Sequence, residues 1–405
     1  MNTYDVAVVG GRVAGASTAL LLARAGARVA LLDRRPYGSD TLSTHALMRA
    51  GVLQLTRWGL LDRVVVAGTP PVRRTTFHLD DRPPVRVTIR PYAGVDALYA
   101  PRRHVLDRIL VDAAAEEGVD VWHQTPVTDL LRDETGRVSG VVATPPSGGS
   151  VAVPARVTVG ADGTGSMVAR EVAAPVLSQG DSSSAVLYRY LSDLDTDGYE
   201  WAYASGAAAG IIPTNAGESC VFVATSPDRL RRLRREGAEP AFDTVLGLAA
   251  EGSLADRVRA AQPSGRLRGW SGLPGYVRRS WGPGWALVGD AGYFKDPITT
   301  HGMTDALRDA ELLTDALLAV LAGAPGAEAL GGYQATRDRL SSRLFEVTEQ
   351  VATYDWDLDR VQTLLRRVSS AMSDEVDHLQ ALPARPQAPG ESAPPVGTDT
   401  VAAHR

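Results

Sequence analysis

The run YDVAVVG, Tyr4 to Gly10, is apolar almost throughout. A stretch dense in Ala and Leu follows from Val13 to Ala25, then a second apolar run from Val29 to Leu32. Such runs predict strands of a parallel sheet buried on both faces, joined by a helix. Gly26 stands just past that helix, where a C-cap glycine belongs. Farther on, Ser39 to Trp58 reads as a loop and a helix, and Thr75 to Arg90 as strand patches broken by Pro83 and Pro84. From His104 to Glu117 apolar residues fall at 105, 106, 109, 110 and 113, a helical spacing. Val119 to Trp122, Arg137 to Thr144 and Val151 to Gly160 predict strands.

From about Ala185 the texture changes. Tyr188, Tyr190, Trp201 and Tyr203 lie in short alternating runs, and GIIPTNAGESCVFVATS predicts a hairpin turning at Asn215–Gly217. A mostly antiparallel sheet inserted into the first unit is expected. The arginine-rich run Arg229 to Arg235, on an expected helix, reads as a solvated face. Trp281 to Val288 predicts one strand ending at Gly289-Asp290. Gly302 to Leu321 is apolar at 306, 307, 310, 313, 317 and 320, an amphipathic helix stopped by Gly323 and Pro325. More helix is expected from about Gly332 to Leu382. The tail 383–405, rich in Pro and small polar residues, is expected to be disordered.

Composition narrows the function classes. The chain has 405 residues, enough for a large core in two or three domains. Apolar content of 44%, charged content of 22% and a net charge of −5 are ordinary for a soluble protein. Neither a nucleic-acid nor a membrane surface is indicated. The single cysteine, Cys220, excludes an intrachain disulfide and a cysteine-only metal cage. Without HxxxH or CxxC spacing no metal site is expected. No run predicts a membrane span, and the strand beginning within three residues of Met1 leaves no room for a signal peptide, so a cytoplasmic protein is expected. Of the 42 basic residues only Lys295 is a lysine, so any mechanism needing one has a single candidate.

The first turn carries chemistry. In VVGGRVAGAS, Gly10 and Gly15 occupy the first and last positions of a G-x-G-x-x-G dinucleotide turn, and Arg12 stands in the middle. Gly10 permits the turn off the strand, Gly15 permits close helix packing, and the helix N–H groups face a diphosphate. Asp33 ends the second strand 23 residues after Gly10, where an acid receives an adenosine ribose. Arg12 replaces glycine without breaking the turn if its backbone is ordinary. Its side chain then either folds beside the diphosphate or flavin or lies on the surface. Asp290, at a strand end with small residues behind it, could reach a sugar hydroxyl. The helix beginning near Gly302 points its N-terminal dipole into the crevice.

Two further segments complete the pattern: VGADGTGSMVAR, Val159 to Arg170, and WALVGDAGYFKDPITTHGMTDALRDAELL, Trp285 to Leu313. They resemble the DG and GD motifs of class A flavoprotein monooxygenases, the para-hydroxybenzoate hydroxylase type, whose superfamily also holds geranylgeranyl reductase-like and flavin halogenase-like members. The resemblance covers roughly residues 3–330. It implies an α/β fold: a Rossmann-like FAD-binding domain, an inserted, mostly antiparallel β-sheet substrate domain, and C-terminal helices. The implied division is 1–180 for the first part of the FAD-binding domain, with a small substrate-domain insertion near 70–100. Residues 181–284 form the substrate domain, 285–325 the second FAD-binding part, 326–382 the helices, and 383–405 the tail.

The resemblance implies FAD as cofactor and NAD(P)H as transient reductant. It places Gly10, Gly15 and Asp33 at the adenosine half, with Arg12, Ala14, Arg34 and Val127 also in the cofactor set. Arg103 would contact the flavin or diphosphate, and Asp162 and Gly163 the diphosphates. Gly289 and Asp290 would bind the ribityl or diphosphate region, with Pro297, Gly302 and Met303 beside the ring. The family commonly has asparagine two residues after that glycine; here it is Thr304. His45, His301 and Gly302 are the catalytic candidates. Tyr188, Tyr190, Trp201, Tyr203 and Trp270 are the candidate substrate pocket, with a filled core as the alternative.

The function implied is hydroxylation of a small electron-rich aromatic or polyketide-like molecule by O2 through a flavin hydroperoxide. A flavin-dependent C=C reductase of the geranylgeranyl type is the alternative. Halogenation is disfavoured, because the W-x-W-x-I-P pattern is absent and Lys295 falls within the GD segment. A non-catalytic protein like the GDP-dissociation inhibitors is a remote reading. No Ser-His-Asp arrangement or G-x-S-x-G stands out. No second nucleotide fingerprint appears, which suits transient NAD(P)H. Oligomeric state is left open.

Overall fold

The computed structural model describes residues 3–79, 82–250 and 252–384. The tail expected to be disordered lies outside the described residues, apart from its first two. The opening apolar runs become the parallel strands Tyr4–Val9 and Val29–Leu32, with the helix Val13–Arg24 between them. Tyr4–Val9 lies centrally, pairing on its other side with Val151–Gly160, and Trp285–Leu287 extends the sheet beyond that strand. Asp120–Trp122 closes the opposite edge.

Alternate side chains of these strands enter two cores, as the period of two requires. Val6, Val8 and Leu31 pack with the helices Val13–Arg24, Arg103–Glu116 and Gly302–Leu321. Ala7, Val9 and Leu32 pack against the antiparallel strands Val127–Arg132 and Val138–Ala143.

The second sheet has seven strands, in the order Gln262–Trp270, Ala185–Ser192, Ser219–Thr225, Ala207–Pro213, Tyr199–Ala204, Arg74–Leu79 and Val85–Thr88. All its pairings are antiparallel except that of Tyr199–Ala204 with Arg74–Leu79. Leu187 and Leu191 face a core closed by the helices Ala238–Ala249 and Ser253–Ala260. Tyr188 and Tyr190, one residue out of step, face the other way, toward the C-terminal helices and the loops of the first unit.

Two expectations differ. Trp281 to Val288 is not one strand but a tight antiparallel pair, Trp281–Gly282 with Trp285–Leu287. Gly284, at φ +79, turns the chain in between. The C-terminal region is two helices, Gly326–Ala352 and Leu358–Gln380, rather than one stretch. Tyr354 at φ +57 interrupts the first, and Asp357 caps the second by accepting from the Arg360 N–H. The strand Val127–Arg132 and the helices Ala238–Ala249 and Ser253–Ala260 were not anticipated, although the helices bury residues at helical spacing, such as Ala241, Val245 and Ala249. No helix among the described residues is long and apolar enough to cross a membrane.

Candidate active site

The first turn is tied to the second strand by Asp33. Its Oδ2 accepts from the Gly11 N–H at 2.7 Å and its Oδ1 from the Arg35 N–H at 2.6 Å. Gly10 N–H donates to Leu32 O at 2.8 Å. A Cβ on Gly15 would stand 1.8 Å from the Gly10 carbonyl oxygen, so only glycine lets the helix start this close to the strand. Arg12 precedes the helix in extended backbone, and its guanidinium reaches Asp107 at 2.8 Å and Ser39 O at 3.3 Å. Arg103 meets the same carboxylate, its Nε 3.1 Å from Asp107 Oδ1. Arg34 is exposed just beyond Asp33. Val127, half-buried, begins a strand and packs beneath the sheet.

The DG and GD segments converge on this turn. Asp162 accepts from Ser166 Oγ at 2.5 Å and the Met167 N–H at 2.6 Å, anchoring the short helix Met167–Glu171. Gly163 leaves open space where a side chain would project. A Cβ on Gly289 would lie 2.8 Å from the Cβ of Ala14, so the GD glycine abuts the first helical turn. Tyr276 fixes the backbone beyond it, donating to Asp290 O at 2.6 Å.

Asp290 tests whether the site suits FAD. Its carboxyl makes no hydrogen bond among the described residues, and burial pushes its pKa up to about 6 against the lowering fields of Arg103 and Lys295. A half-buried acceptor without a protein donor at a strand's C-terminal end fits a sugar-like hydroxyl. A Cβ on Gly302 would meet nothing within 4 Å, and the helix Gly302–Leu321 begins there with no side-chain cap. Space and unmet N–H donors suit an electron-rich ring edge. The residues present fit the cofactor.

Around Pro297–Met303 the sequence reading missed a buried charge network. Asp296 caps this segment, accepting from Ser184 and from the Ile298 N–H, and burial pushes its pKa up to about 6. Lys295 pairs with Asp305, and burial pushes its pKa down to about 7. His301 Nε2 lies 2.6 Å from Glu375 Oε2, and Arg308 bridges Glu375 at 2.9 Å, Asp305 at 3.1 Å and Asp309 at 2.7 Å. Thr304 Oγ1 accepts from the Met48 N–H at 3.2 Å, joining the helix to the loop bearing His45. Although His301, Asp305 and Glu375 bring ligand atoms within 4.8 Å of one another, Lys295 and Arg308 already neutralise those carboxylates. Only the solitary lysine and the charges within DALRDAELL hinted at this network; nothing marked Glu375.

The five aromatic candidates divide. His45, fully buried at φ +68, hydrogen-bonds through Nε2 to the Tyr190 hydroxyl. Burial, then the fields of Arg102 and Arg103, hold its pKa well below the ordinary value. Tyr188 OH accepts from the Ser43 N–H at 3.3 Å. Arg102 stacks 3.5 Å from the centroid of Tyr190, and Arg268, bonded to Asp40 at 2.9 Å, lies 5.7 Å from it. Tyr188 and Tyr190 thus face the cofactor-side loop. Trp201 and Tyr203, buried like Tyr188 and Tyr190, pack against Phe222 and Trp356 respectively, and Trp270 approaches Phe294 at 6.4 Å. Arg102, Arg268 and Asp40 carried no sequence signal, because three distant segments supply them.

Digeranylgeranylglycerophospholipid reductase of Thermoplasma acidophilum is 27% identical over 315 residues, covering 76% of each chain. Aklavinone 12-hydroxylase DnrF of Streptomyces peucetius is 28% identical over 375 residues, 86% of this chain and 74% of that one. The solved structure of the flavin-dependent brominase Bmp2 superposes with a TM-score of 0.78 at 18% identity, covering 94% of this chain and 93% of its own. That last likeness concerns the fold. The family described as FAD binding domain matches residues 3–348. With the turn, the DG and GD segments and the orphaned Asp290 carboxyl in place, the chain belongs to that family and is an FAD-dependent oxidoreductase.

Proposed function

We propose that this protein is an NAD(P)H-dependent monooxygenase that hydroxylates a small electron-rich aromatic or polyketide-like molecule. The observation that carries the reading is the aromatic, arginine-flanked face of Tyr188 and Tyr190 beside the loop bearing His45. Bound FAD supplies two-electron chemistry with O2. Gly10, Gly15 and the first turn of Val13–Arg24 would receive its diphosphate, Asp33 its ribose, Asp290 its ribityl chain, and Gly302-Met303 the ring edge.

Tyr188 and Tyr190, 2% and 3% exposed, with Arg102 and Arg268, would supply a dry, charged wall to the substrate. A substrate phenol or enol against this face would meet the fields of Arg102 and Arg268, which favour its anionic and more electron-rich form. The Tyr190 oxygen can accept that hydroxyl's hydrogen bond while its own proton is held by neutral His45. The likeness to an aklavinone hydroxylase supports this reading. The archaeal reductase relatives favour a second one, saturation of a carbon–carbon double bond.

Anaerobic reduction of the purified protein by NAD(P)H, followed by O2 with candidate aromatic substrates, tests both. The expected result is substrate-dependent O2 consumption with oxygen incorporated into product. Substrate turnover under argon overturns it in favour of the reductase.

A further inference from the structure

We propose that Glu375, on the helix Leu358–Gln380, is a positioning residue that fixes His301 as its Nε2–H tautomer and presents the Nδ1 lone pair as acceptor for a ring N–H of the bound flavin. The proposal rests on the Gly302 end of its helix facing the flavin ring. It is independent of whether the reaction is oxygenation or reduction.

His301 is 1% exposed and immediately precedes the helix Gly302–Leu321. Its Nε2 lies 2.6 Å from Glu375 Oε2 and 3.9 Å from Asp305 Oδ1, so Glu375 is the hydrogen-bond acceptor. A neutral imidazole donating from Nε2 carries its lone pair on Nδ1. Burial, opposed by Glu375, holds the imidazole toward its neutral form. Nδ1 has no hydrogen-bond partner among the described residues, and the side chain does not cap the helix. Beside it, Gly302 leaves open space. An unsatisfied buried acceptor costs about 1–3 kcal/mol, which a donor from a bound group would relieve.

Glu375 is itself held firmly. Its other oxygen accepts from Arg308 Nη1 at 2.9 Å, and Arg308 Nη2 donates to Ser341 Oγ at 2.9 Å. Lys295 with Asp305, and Arg308 with Asp309, supply the remaining charges around the pair; Tyr293 and His378 are the neutral titratable neighbours. Although burial alone would raise its pKa, the Arg308 guanidinium and the hydrogen bond from the His301 Nε2–H keep Glu375 ionised. Glu375 lies beyond residues 3–348, the segment matching the FAD-binding family. A helix outside that segment therefore sets the hydrogen bonding of a residue at the cofactor's edge.

Nitrogen NMR of ¹⁵N-histidine-labelled protein, with and without FAD, reads the tautomer directly, and His301→Gln assigns the signal. The expected result is an Nε2–H imidazole whose Nδ1 resonance moves on FAD binding. Glu375→Leu should mix the tautomers and weaken FAD binding about tenfold, equivalent to about 1.4 kcal/mol. Glu375→Gln, whose amide oxygen still accepts, should keep the tautomer and stay within about threefold, roughly 0.7 kcal/mol. An Nδ1 resonance indifferent to FAD, or an unchanged tautomer in Glu375→Leu, overturns the proposal. If Glu375→Leu does not fold, the wild-type response to FAD still decides. Asp290→Ala run alongside separates the premises. Loss of FAD there with no Nδ1 response in wild type overturns the His301 role alone, whereas unaltered FAD retention overturns the cofactor placement beneath it.

Discussion

Arg12 Nη1 lies 2.8 Å from the carboxylate of Asp107, and the same carboxylate also receives Arg103. This accounts for an arginine where dinucleotide turns have glycine. At φ −101 and ψ −167 the Arg12 backbone is extended, a conformation open to any residue, and the side chain leaves sideways toward the helix Arg103–Glu116. Arg12 therefore braces the turn, and Asp107 links it to Arg103.

Arg12→Gly should cost stability more than cofactor binding. The guanidinium is about a quarter exposed, so the lost charged hydrogen bonds are worth about 1–2 kcal/mol. Urea denaturation should show that loss while FAD titration changes by less than about threefold, roughly 0.7 kcal/mol. A tenfold loss of FAD affinity with unaltered stability would place the side chain at the diphosphate instead.

Asp290→Ala should weaken FAD retention, read as flavin absorbance surviving gel filtration. Asp290→Asn addresses the apoprotein. Burial raises the folded-state pKa from 3.8 to about 6, so the folded chain holds this proton more tightly than the unfolded one. The corresponding stability is complete below pH 4 and is lost as pH rises toward 6, about 1–2 kcal/mol after allowance for partial exposure. In the Asp290→Asn protein that decline should shrink but not vanish, since Asp296 is shifted upward in the same range. Identical stability profiles for the two proteins between pH 4 and 6.5 would refute the assignment.

Gly15→Ala places a methyl carbon 1.8 Å from the Gly10 carbonyl oxygen, with backbone on both sides of the contact. The helix Val13–Arg24 must then withdraw from the strand, at a cost of about 3 kcal/mol or more. Reduced thermal stability together with loss of bound FAD is expected; a protein as stable as wild type would contradict the close approach.

Glu311→Ala probes the seam between the helices Gly302–Leu321 and Arg49–Arg57. The buried carboxylate accepts from Arg57 Nη2 at 2.8 Å and from Trp58 Nε1 at 3.1 Å. Removing it leaves the mostly buried Arg57 guanidinium without its counter-charge, held only by the Leu382 and Pro383 carbonyls, and strands the Trp58 indole N–H, a loss of about 3 kcal/mol in denaturant titration. A loss under about 1 kcal/mol would show that the existing bonds of Arg57 to the carbonyls of Leu382 and Pro383 are enough to hold it.

What the sequence determined by itself is local in origin. The continuous run of Tyr4–Val9 and the spacing of Gly302–Leu321 are written in consecutive residues, and both elements stand where the pattern puts them. Gly10, Gly15, Asp33 and Asp290 were legible because a strand end followed by a turn fixes their places within a few residues. The pair Trp281–Gly282 and Trp285–Leu287 was read as one strand because both halves are apolar and Gly284 alone marks the turn.

Only the tertiary structure decided the partners of charge and aromatic surface. Alternation put Tyr188 and Tyr190 on one face, but whether that face met solvent, core or cofactor depended on Arg102, Arg268 and His45 arriving from elsewhere. Glu375 is the clearest case. Within its own helix it is one more acidic residue, and it becomes a buried partner of His301 and Arg308 because the helix Leu358–Gln380, packed on Gly326–Ala352 and Arg49–Arg57, brings it there. Periodicity records which side of an element is buried. Which charge waits there is set by chain segments 67 and 74 residues apart, and no local pattern carries that information.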